Sequence, residues 1–126
     1  MGRANRSRDT SPELLLRCEL HRRGLRYRLH RRPEPAIRTT ADVVFRAARM
    51  AVFVDGCFWH RCPDHGVLPK RNGDWWRAKL TANFERDRRN DKALEASDWR
   101  VVRVWEHEDP EVAADRICEI LSWASL

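Results

Sequence analysis

The chain has no run of about 18 apolar residues, the length a helix needs to span a bilayer, so a membrane-spanning reading is set aside. Lysine is scarce as well. Of 25 basic residues only Lys70, Lys79 and Lys92 are lysines, which leaves arginine to carry nearly all the positive charge. Arginine's planar fork suits phosphates and guanine edges better than a lysine point charge does. Arginine-rich composition also follows from genomic base bias and solubility, so charge alone leaves nucleic-acid binding open. Met1 to Asp9 is polar and basic and lacks an apolar signal core, which sets the expectation of a cytoplasmic protein. Those nine residues read either as a flexible basic arm or as a plain disordered terminus. In a reducing compartment the 4 cysteines are not a disulfide framework but metal ligands or small buried groups.

What is present points to one globular domain over residues 1–126. The chain is 42% hydrophobic and 35% charged with a formal net charge of +6, too apolar for a disordered polyelectrolyte. Thr10-Ser11-Pro12-Glu13 starts a helix that runs to about Arg23 and stops at Gly24. Leu25 to His30 alternates like a half-buried strand, and Pro33 and Pro35 mark a loop. Ala41 to Arg46 and Met50 to Asp55 are two strands joined by a hairpin turn. A long amphipathic helix follows over Asp74 to Ala96, with Trp75, Leu80, Phe84, Ala93 and Leu94 at helical spacing. Arg100 to Trp105 is a strand and Pro110 to Ala124 a closing helix. This order describes an α/β domain, a mixed central sheet flanked by helices.

Between Gly56 and Gly73 the pattern gives way to Gly, Pro, Cys, His and Trp. Cys57, Cys62 and His65 stand at C-x4-C-x2-H spacing, and His107 follows the last strand. Two cysteines and two histidines suit a closed tetrahedral zinc site that would pin the loop to that strand. Asp64 is a substitute ligand for one histidine. The alternative is a cysteine packed as a small apolar residue and histidines that titrate freely. Cys18 and Cys118 lie among apolar helix neighbours and read as core residues.

Asp42 begins one strand and Asp55 ends the next, so antiparallel pairing brings both to one edge of the sheet. Two such acids, with a backbone carbonyl such as that of Val54, can hold magnesium. They are equally ordinary turn residues. His60 is the histidine least needed for zinc and can act as a general base. Glu13 reads as a capping-box partner or as a second acid if the helix start points into the site. Phe58, Trp59, Trp75 and Trp76, interleaved with arginines, suit stacking on bases or wedging into a step, and core packing is the other reading.

The stretch Phe53-Val54-Asp55-Gly56-Cys57-Phe58-Trp59-His60, with Trp75-Trp76, Asn83 to Asp91 and Val101 to Glu106, resembles the very short patch repair endonuclease family. The likeness begins at Arg6-Ser7-Arg8-Asp9-Thr10-Ser11-Pro12-Glu13-Leu14. It implies a restriction-endonuclease-like fold and a monomer that nicks one strand of duplex DNA beside a T:G mismatch. It also implies that Asp42 and the Val54 carbonyl hold magnesium, that His60 activates water, that Glu13 assists, and that Cys57, Cys62, His65 and His107 hold zinc. By the same likeness Phe58, Trp59 and Trp76 would wedge into the duplex, with Asn83, Arg86 and Asp87 near the DNA. Arg38 to Asp42 departs from the Pro-Gly-basic-Pro-Asp pattern of many members but keeps the acid. Asp55 and His107 stand where some members carry histidine and cysteine. Two other readings are a restriction-type or structure-specific nuclease on the same fold, and a non-catalytic zinc module that binds DNA.

Overall fold

Helix α1 (Ser11–Arg22) ends where glycine permits a left-handed turn. Gly24 sits at φ 77°. Its N–H donates to the His21 carbonyl at 2.9 Å, and that of Leu25 donates to Leu20 at 3.2 Å, which satisfies carbonyls the helix would leave open. The computed structural model describes residues 11–56 and 72–124.

Four strands follow in the order β1 (Arg28–Arg31), β2 (Ala41–Phe45), β3 (Met50–Asp55) and β4 (Arg100–Trp105) across one sheet. The first two pairings are antiparallel and β3 with β4 is parallel. The parallel step needs a crossover, which helix α2 (Gly73–Ala96) supplies, and α3 (Pro110–Ala124) closes the chain. The mixed α/β sheet flanked by helices is as the sequence pattern requires. Strand β1 starts later than Leu25, because Leu25 and Tyr27 pack against the core before the chain joins the sheet. Tyr27 donates its hydroxyl proton to the Arg17 carbonyl at 3.1 Å and meets Phe45 edge to face. No helix among the described residues is long and apolar enough to cross a membrane.

Strand alternation divides the core. Val43, Phe45, Met50, Val52, Val102 and Val104 face α1 and α3, against Leu16, Leu20, Ala113, Ala114 and Ile117. Val44, Ala51 and Phe53 face Leu94 and Trp99 at the end of α2. That end is a second left-handed stop: Asp98 takes φ 68°, and the Trp99 N–H donates to Leu94 at 3.0 Å. The bonded residues Leu94 and Trp99 are both buried and carry the apolar contact that accompanies such ends.

On the α2 face one charged group is held inside. The Arg103 guanidinium reaches Asp55 at 2.8 Å and Asp91 of α2 at 2.7 Å, and lies 4.3 Å from the Phe53 ring centre. Burial works against its charge, but Asp91 and Asp55 more than offset this and its pKa is raised. Removing one partner of such a pair leaves the other charge buried and uncompensated. Arg103→Met should therefore lower the unfolding free energy by about 2–4 kcal/mol, with Asp55→Asn in the same chain restoring part of it. Urea denaturation checks this, and a loss under about 1 kcal/mol would show that the pair does not fasten α2 to the sheet.

Candidate active site

The irregular point of the sheet lies between β1 and β2. Leu29 pairs with Val43 and Arg31 with Ala41, so His30 stands opposite Asp42. Two features mark this position. His30 adopts φ 51°, the left-handed region that a non-glycine residue enters only at a cost. Ala41 belongs with Val44 to the core on the α2 side, although strict alternation over three residues would part them. The pleat is broken between them, and the break turns the Asp42 carboxylate toward α1, where Glu13 stands in the first helical turn.

Glu13, His30 and Asp42 then offer ligand atoms that all lie within 4.8 Å of one another. Glu13 Oε2 is 3.0 Å from His30 Nε2 and 3.3 Å from Arg17 Nη1, and the Glu13 side chain is only 2% exposed. The Val54 N–H donates to Asp42 Oδ2 at 2.7 Å, which ties the acid to β3 across the pairing. Burial is the main reason that the Asp42 pKa rises from 3.8 to about 6. The Val54 N–H opposes the rise, and the Glu13 charge adds to it. Two carboxylates placed this close in a partly dry site repel each other unless a proton or a cation lies between them. The donor set of two carboxylates and an imidazole fits a divalent ion.

Asp55 does not join this set. Alternation along β3 places it with Ala51 and Phe53 on the α2 face, where Arg103 holds it. Antiparallel pairing brings both aspartates to one end of the sheet, as the sequence requires, but to opposite faces of it. Glu13 is part of the site by geometry, and the Thr10 of its capping box lies outside the described residues. His30 went unnoticed in the sequence because its partners lie 17 and 12 positions away and its own segment reads as a plain alternating strand. A basic residue opposite a strand-initial acid in the next strand is the one signal that could have found it.

Phe58, Trp59, His60, Cys57, Cys62 and His65 lie outside the described residues. His107 is exposed just past β4 and stacks on Trp105 with ring centres 6.5 Å apart. The Glu106 N–H donates to the Asp55 carbonyl at 2.9 Å, so the residues that precede His107 and Gly56 leave the sheet together. On α2, Trp75 is 57% exposed rather than on the packed stripe, and meets Trp76 edge to face at 4.7 Å. Phe84 is also exposed, under the Arg88 guanidinium. Asn83 and Asp87 are half-buried, and Arg86 reaches Asp87 at 3.6 Å.

Comparison with known proteins gives this geometry a family. The family described as DNA mismatch endonuclease Vsr matches residues 1–64. The chain is 45% identical over 120 residues to the type II nicking enzyme V.NaeI of Lentzea aerocolonigenes, covering 94% of this chain and 72% of that protein. It is 44% identical to the type II nicking enzyme V.XorIIP of Xanthomonas oryzae pv. oryzae, covering 86% of this chain and 79% of the relative. Against the DNA mismatch endonuclease Vsr of Escherichia coli it is 36% identical, over 82% of this chain and 65% of that protein. With half its length matched by the family and two close relatives covered over more than two thirds, the chain belongs to the Vsr family of DNA endonucleases.

Proposed function

We propose that the protein nicks one strand of duplex DNA beside a T:G mismatch by metal-dependent phosphodiester hydrolysis, on a restriction-endonuclease-like fold. The observation that carries this reading is the convergence of Glu13, His30 and Asp42 at one end of the sheet. A partly buried carboxylate pair lowers stability and would repel phosphates, so it serves a pure DNA binder poorly and a cation-assisted hydrolase well. A mismatch preference is supported by the family's description and the E. coli relative's name, and T:G as the mismatch by the sequence resemblance alone. A second reading, a restriction-type nicking enzyme, is favoured by the names of the V.NaeI and V.XorIIP relatives.

Asp42 and Glu13, with the Val54 carbonyl, would hold magnesium. Bound there, magnesium would stabilise the charge that builds on the phosphate during attack. Asp42 is oriented for this by the Val54 N–H, and Glu13 by Arg17. His60 takes the proton from the attacking water. Trp75 and Trp76, with Phe58 and Trp59, stack against or enter the base step, which costs less where a mismatch already weakens stacking. Asn83, Arg86 and Asp87 lie along the DNA. Zinc, held by Cys57, Cys62, His65 and His107, would fasten the loop after β3 to the end of β4, and the Glu106 to Asp55 bond supports that closure.

Three outcomes test this. On a labelled duplex with one T:G mismatch and magnesium, the wild type should cut one strand, and Asp42→Ala or His60→Ala should slow cutting by about 10²–10³-fold. Equal cutting of a matched duplex would favour the restriction-type reading. Metal analysis should find about one zinc per chain, lost with Cys57→Ser and much reduced with His107→Ala; a protein purified without zinc that keeps its melting temperature would remove the structural site.

The raised pKa of Asp42 gives the third. The folded protein holds this proton more tightly than the unfolded chain does, so the burial penalty is absent below about pH 4 and complete above about pH 6. Asp42→Asn should therefore stabilise the metal-free protein at pH 7.5 by on the order of 1–3 kcal/mol, shrinking to under about 1 kcal/mol at pH 4. Denaturation at the two pH values checks this; an unchanged or lowered stability at pH 7.5 would show that the Asp42 charge is not a burden.

A further inference from the structure

His30 belongs to the cluster that carries the hydrolysis reading but has been given no role in it. It occupies a strained left-handed backbone at the centre of a four-residue strand, where a glycine or asparagine would sit more cheaply. The register sets it opposite Asp42. Its ring is largely enclosed, 12% exposed, and Nε2 lies 3.0 Å from Glu13 Oε2. Around an octahedral ion with bonds of about 2.1 Å, neighbouring ligand atoms lie about 3 Å apart and opposite ones about 4.2 Å apart. The 3.0 Å separation matches neighbouring positions, and the 4.8 Å bound on the whole set leaves only a small contraction for one ion to be shared by all three.

We infer that His30 is a third ligand of the Glu13 and Asp42 cation site, and that its nitrogen makes the site favour manganese over magnesium more strongly than two carboxylates alone would. This rests on the cation site of the proposed function and adds its selectivity. Magnesium is a hard ion that prefers oxygen and keeps its waters, whereas first-row transition ions accept imidazole readily and increasingly along their series. Ligation uses the Nε2 lone pair, with the ring proton on Nδ1, so the close approach to Glu13 becomes a shared ion. The strained φ of His30 is what aims the ring across the strand pair instead of out from the sheet.

The test is direct binding by the full-length protein. Manganese binding is read from the loss of the free-ion resonance, and magnesium by competition. Pulsed electron resonance on the manganese-loaded protein reads any directly bound nitrogen. His30→Gln keeps a polar side chain of similar reach but no imidazole. It should lower manganese affinity about tenfold or more, change magnesium affinity less than about threefold, and erase the nitrogen modulation of the wild type. Nitrogen modulation that persists in His30→Gln, or equal effects on the two ions, would overturn the inference. Asp42→Ala separates the two levels. If it abolishes binding of both ions while His30→Gln alters neither, His30 is no ligand although the cation site stands; if it leaves both affinities intact, the cation site fails and this inference with it.

Discussion

The structure depends on one strand being dry on both sides. Strand β3 pairs with β2 on one flank and β4 on the other, and its side chains alternate between the α1/α3 core and the α2 core. A strand so placed must find a partner for each backbone group, in the ladder or from a side chain, and accepts polar side chains only where partners are built in. At its end both conditions are used. The Val54 N–H turns to the Asp42 carboxylate, and Asp55 is met by Arg103. The covalent neighbours Val54 and Asp55 thereby serve two unrelated purposes on two faces, one in the site and one in the fastening of α2.

Much of the fold was legible because its stops are chemically explicit. Gly24 ends α1, the four residues after Phe45 turn the hairpin, and β3, β4 and α3 begin and end at the residues the patterns indicate. What the sequence did not reveal depends on contacts between distant residues. The side of the sheet to which Asp55 points is a matter of strand parity and of Arg103, 48 positions away. His30 acquires meaning only from the register of β1 against β2. Helical spacing also did not reveal the exposure of Trp75 and Phe84, the latter lying between the buried Leu80 and Leu94 on one 24-residue helix. The apolar spacing runs along the helix, yet among the described residues of α2 only Leu80 and Leu94 are buried.

Stability and chemistry oppose each other at one place. The core on either face is closed, yet Asp42 carries a burial penalty against its charge that the Val54 N–H and the nearby His30 only partly offset. Asp55 is the contrast: a carboxylate equally near the sheet's end, given a guanidinium, and thereby made structural. A guanidinium fixed beside Asp55 and a backbone N–H beside Asp42 set these two aspartates apart.

Burial along α2 divides it into positions with different freedoms. Near Leu94 and Trp99 every substitution must fit a closed core, whereas from Trp75 to Arg89 most side chains are exposed and Leu80 alone among the described residues is buried. That stretch can therefore change its exposed side chains at little cost to the core, whereas the end at Leu94 and Trp99 cannot.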